Sequence, residues 1–97
     1  MLPKTKLNDE LFEAILKLET VEECYKLFDD LCTIKEVESM AQRINAAKLL
    51  LQNNTYEEVI TKTSISSVTL SRISKCIKYG SGGYKAVLDC DDKENIK

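Results

Sequence analysis

The sequence predicts an all-α fold from four observations. Apolar residues recur at i, i+3, i+4 and i+7 through most of its 97 residues, and three segments open with the same Thr-x-x-Glu pair. No stretch alternates apolar and polar residues at the strand period, and Pro3 is the only proline available to break a helix.

Each element follows from a local signature. Asn8 precedes DELFEAILKL, in which Leu11, Ile15 and Leu18 form a stripe widened by Phe12 and Leu16, giving an amphipathic helix of about ten residues. Thr20 with Glu23 opens a second helix through Leu31, with Val21, Cys24, Leu27, Phe28 and Leu31 on its inner side. Thr33 with Glu36 opens a long third helix from Ile34 to Leu51. Ile34, Val37, Ala41, Ile44 and Leu51 keep a heptad-like seam, while Met40, Ala46, Ala47, Leu49 and Leu50 make its second half apolar almost all round. A helix of that kind needs more than one wall to bury it, and a second copy of the chain is the expected extra wall.

QNNT stops the third helix, since Asn tolerates left-handed backbone. Thr55 with Glu58 then starts a helix of seven or eight residues, the pair Ser64 and Ile65 makes a turn, and Ser66 caps a last helix from Ser67 to Lys78. The patch KYGSGGYK reads as a helix stop and joint, because its glycines match neither a dinucleotide fingerprint nor a phosphate-cradling loop. Residues 1–88 are expected to form one domain, with the helix-turn-helix at about 55–78 and a flexible polar tail over 89–97.

Composition narrows the function. With 43% hydrophobic and 31% charged residues the chain is neither disordered nor membrane-spanning, and the opening Met1-Leu-Pro-Lys-Thr-Lys lacks the apolar core of a secretion signal, so a cytoplasmic protein without membrane partners is expected. Cys24, Cys32, Cys76 and Cys90 form no CxxC pair, and the chain has no His, so neither a metal site nor a disulfide framework is expected. The first three are expected to be buried thiols. The missing His and the absence of a convincing carboxylate pair argue against an enzyme.

Charge supplies the positive clue. From Val59 to Leu88 the charged residues are Lys62, Arg72, Lys75, Lys78 and Lys85, so this part carries +5 in a chain of net −2 and the rest carries −7. A field felt over a Debye length of about 8–10 Å depends on the local patch, which points to an anionic partner. Two short helices joined by a tight turn, the second basic and rich in hydroxyls, is the arrangement that places a helix in the major groove of double-stranded DNA. Val59, Ile60, Ile65, Leu70 and Ile73 can meet inside the crossing, leaving Ser66, Ser67, Val68, Thr69, Ser71, Arg72 and Lys75 as the DNA-facing candidates. A helical dimer using the same face to bind a protein is the alternative.

The run QRINAAKLLLQNNTYEEVITKTSISSVTLSRISK resembles the core of the Trp repressor-like family over roughly Leu31 to Ile77, and the whole chain is similar to its YerC/YecD branch. The resemblance implies an intertwined helical homodimer acting as a transcription regulator, a repressor by analogy, with its two heads in successive major grooves. It also implies DNA contact at Thr69 and Ser71 in VTLSR. Thr33, Arg43 and Arg72 fall at the family's ligand-contacting positions, where tryptophan or a related amino acid would bind. Ile73 stands where the repressor has glycine and would fill the slot an indole needs, and Cys76 stands where it has serine, so no cofactor is expected.

Overall fold

A computed structural model describes residues 2–88, and the polar tail expected over 89–97, with Cys90, lies outside the described residues. Five helices follow in order, α1 (Lys6–Ile15), α2 (Val21–Leu31), α3 (Ile34–Leu51), α4 (Tyr56–Thr63) and α5 (Ser67–Tyr79). Residues 83–88 are also helical. The chain divides into two compact units, Met1–Val37 and Glu38–Lys97.

The first unit holds α1 and α2. The start of α1 lies three residues earlier than the sequence suggests, because Thr5 rather than Asn8 is the cap. Thr5 Oγ1 accepts from the Asn8 amide at 3.0 Å, and Asn8 Nδ2 in turn donates to the Pro3 carbonyl at 2.9 Å. Thr20 caps α2 by accepting from the Glu23 amide at 3.1 Å, while the Glu23 carboxylate accepts from the amide of Glu19 at 2.7 Å, one residue before the expected cap amide. Neither helix contains a buried residue, and Leu7, Leu16, Val21 and Tyr25 are each more than 70% exposed.

The second unit contains the core of the described chain. Ala46 and Ala47 of α3, Val59 of α4, Ile65 of the turn, and Leu70 and Ile73 of α5 are buried together. Leu49, Leu50, Ile60, Ile77, Tyr84 and Leu88 pack around them. The small side chains of Ala46 and Ala47 leave room for neighbours to approach the α3 backbone closely, and Leu70 and Val59 are the largest side chains fully enclosed. The apolar second half of α3 thus gains a wall from α4 and α5, although Met40 and Ile44 remain 42% exposed.

The cysteine expectation is corrected. Cys24 and Cys76 are exposed and Cys32 is half-buried. Cys24 lies on a helix with no fully buried residue, and Cys76 falls about 60° beyond Ile73, at the edge of the buried arc of α5 at 100° per residue.

Candidate nucleic-acid interface

The motif is built from short-range bonds. The α4 start carries a full capping box, Thr55 Oγ1 accepting from the Glu58 amide at 3.2 Å and Glu58 accepting from the Thr55 amide at 2.8 Å. At its far end the Thr63 hydroxyl donates to the Val59 carbonyl at 2.7 Å and accepts from the Ile65 amide at 3.2 Å, tying the turn back onto the helix. Ser64 closes α4 in the left-handed region at φ 62°, where its amide still donates to the Ile60 carbonyl at 2.9 Å. Sequence reasoning places the turn here but has no signal for a left-handed serine, since Gly or Asn is the usual residue. Asn53, by contrast, adopts φ 71° in the QNNT stop where the sequence suggests it.

Ile65 then drops into the core and Ser66 starts α5. The Ser66 hydroxyl accepts from the Thr69 amide at 3.1 Å and donates to Thr69 Oγ1 at 3.0 Å. Its proton is therefore engaged within the cap, while Thr69 keeps its own hydroxyl proton to donate elsewhere.

At 100° per residue, Ser67, Val68, Ser71, Arg72 and Lys75 occupy an arc of about 140° on α5, and Leu70, Ile73, Ser74 and Ile77 fall on the opposite arc. Burial follows this division: the first five are exposed, whereas Leu70, Ile73 and Ser74 are buried and Ile77 is half-buried. The seven DNA-facing candidates consequently separate into an outward stripe of five and a pair, Ser66 and Thr69, at the helix start.

That pair lines an open cleft of about 220 Å³ with Ser39, Gln42 and Arg43 of α3 and Ser64 and Ile65 of the turn. Ser39, Gln42 and Arg43 lie at i, i+3 and i+4, one face of α3, a spacing from which Ser39 and Gln42 were legible as partners of Arg43. Arg72 is not among the residues lining the cleft and lies on the outer arc. Thr33 belongs to the first unit, where its hydroxyl accepts from the Glu36 amide at 3.1 Å as the start of α3. Ile73 is 2% exposed and forms part of the core.

The field of the motif is lopsided. Among the described helices, α1 to α4 each carry at least one carboxylate in the first turn, from Asp9 in α1 to Glu57 and Glu58 in α4, and α5 carries none. The positive end of the α5 dipole is therefore left without an acidic side chain in its first turn. Such an end, with amides, hydroxyls, an Arg and a Lys, suits phosphate and base edges and repels carboxylates.

No described helix is long and apolar enough to cross a membrane. Comparison with known proteins places this geometry. The family described as Trp repressor protein matches residues 6–92. The uncharacterized protein YerC of Bacillus subtilis (strain 168) is 48% identical over 81 residues, covering 84% of this chain and 78% of YerC. Among solved structures, a candidate Trp repressor from Staphylococcus aureus superposes with a TM-score of 0.85 at 40% identity, covering 97% of this chain and 91% of the other. A TrpR-like protein from Eubacterium eligens ATCC 27750 gives the same TM-score, 0.85, at 41% identity, with 89% of each chain covered. The chain belongs to the Trp repressor family of helix-turn-helix DNA-binding regulators, on the branch that includes YerC.

Proposed function

We propose that the protein is a cytoplasmic, homodimeric repressor of transcription that reads a specific operator with α5. The observation that carries this reading is the combination on α5 of an uncountered helix N-terminus with an exposed stripe of Ser67, Val68, Ser71, Arg72 and Lys75 that contains no acid. Ser66 and Thr69 hold the first turn in shape, and the Thr69 hydroxyl proton, unused in the cap, is the candidate donor to a backbone phosphate. Arg72 is the candidate for bidentate guanine contact and Lys75 for a phosphate.

The homodimer rests on burial. Two helices with no buried residue, bearing Leu11, Phe12, Leu16, Val21, Tyr25 and Leu31 at least 38% exposed, leave more apolar surface open than a small chain tolerates. A second copy of the chain is the partner that completes residues 1–88 as a single working domain. Retention of duplex DNA measured by fluorescence anisotropy across a salt series tests the reading. Binding that falls steeply with salt and weakens on Arg72→Ala is the expected result. Salt-independent retention, or a stoichiometric protein partner captured on α5 with no retained DNA, would replace it by the protein-docking alternative.

A further inference from the structure

The α5 stripe also constrains which bases it can read. Major-groove edges are distinguished by complementary groups: Asn or Gln pairs bidentately with adenine, Asp or Glu accepts from the cytosine amino group, Arg or Lys pairs with guanine, and apolar carbons meet the thymine methyl. SVTLSRISKCIKY contains no Asn, Gln, Asp or Glu, so α5 lacks the side chains for bidentate adenine contact and for charged acceptance from cytosine. What it does present is Val68 and Arg72. Val68 is a β-branched hydrocarbon 79% exposed on the first turn, between hydroxyls and opposite the core, where a residue serving the fold alone would be polar.

We infer that Val68 is a specificity-determining residue that reads the 5-methyl group of a thymine, one step of a half-site in which Arg72 reads a guanine. This rests on the proposed DNA-reading role of α5 and names its target. The two side chains are four residues apart, about 6 Å along the helix axis, which is the span of roughly two base steps. Ser67 and Ser71, lying beside them on the arc, accept or donate to any base edge and so leave the intervening positions tolerant. The half-site is therefore expected to hold a fixed thymine on the side of the α5 N-terminus and a fixed guanine about two steps further, on whichever strand the helix faces.

Replacing thymine by uracil removes the methyl group and nothing else, so the test needs no disruptive variant. The full chain is titrated against its selected duplex and against duplexes carrying uracil at each thymine in turn. One uracil position is expected to weaken binding about three- to fivefold, the worth of a single buried methyl group. The Val68→Ser chain, checked for an unchanged melting temperature, is expected to bind thymine and uracil duplexes equally. Equal affinity of the unaltered chain for every uracil duplex, or a loss in Val68→Ser that leaves the thymine preference intact, overturns the assignment while leaving α5 as the reading helix. A chain that retains no duplex of any sequence removes the DNA-reading role itself, and the assignment with it.

Discussion

The two units of the chain use their apolar residues in opposite ways. In Glu38–Lys97 they converge: Val59 and Leu70 are fully enclosed, and the polar residues left outside form a coherent basic stripe. In Met1–Val37 none is fully buried: Ile15, Leu18, Leu27 and Phe28 are half-buried, and Leu7, Leu16, Val21 and Tyr25 stay exposed although α1 and α2 are strongly one-sided. The difference teaches that amphipathic spacing reports which face wants burial and is silent about where the covering surface comes from. One unit closes a core of its own, and the other leaves many of its apolar side chains uncovered.

Substitutions of the same kind should therefore behave differently in the two units. Leu70→Ala removes a fully buried side chain and is expected to destabilise the fold by about 2–5 kcal/mol, read from denaturant unfolding. Leu16→Asp changes a residue 81% exposed, which in a lone chain would stay within about 0.5 kcal/mol. In the proposed dimer it should cost at least ~2 kcal/mol of association, raising the dissociation constant about 30-fold in sedimentation. A Leu16→Asp chain that associates like the parent would erase the contrast between the units.

Within the reading head, Arg72→Ala is expected to cost about 1–3 kcal/mol of operator binding while leaving unfolding unchanged, because Arg72 is exposed and outside the core. Ser66→Ala removes both cap bonds to Thr69 and should cost about 0.5–2 kcal/mol of fold stability, seen as a lower denaturant midpoint. Lys75→Ala should have the mildest effect, weakening all duplexes alike and lowering the slope of log affinity against log salt by about one. A loss confined to one sequence would make Lys75 a base reader instead.

Much of this was legible in the sequence because it is written in local chemistry. Thr33 with Glu36, Thr55 with Glu58, and Ser66 mark helix starts that the structure keeps, since a hydroxyl three residues before an amide has few other bonds to make. The buried set of Val59, Ile65, Leu70 and Ile73 followed from spacing in the same way. What spacing did not show depends on competition or on distance. Thr5 outcompetes Asn8 as the α1 cap because Asn8 is drawn to the Pro3 carbonyl. Cys24 and Cys76 sit in apolar company along the chain yet face outward, because three-dimensional neighbours and not sequence neighbours decide burial. The cleft under Arg43 joins α3 to a turn more than twenty residues away, and Ser64 reaches it through a left-handed backbone that no serine signals.

The most direct test of the account is selection of the full chain on random duplex DNA at a stated, moderate salt concentration, because the enriched site reports both units at once. A reading head on α5 and a dimer completed by α1 and α2 together predict two inverted half-sites about 10–10.5 base pairs apart centre to centre, one helical turn of the duplex. A single enriched half-site would contradict the dimer, and no enrichment of any sequence would contradict the reading head.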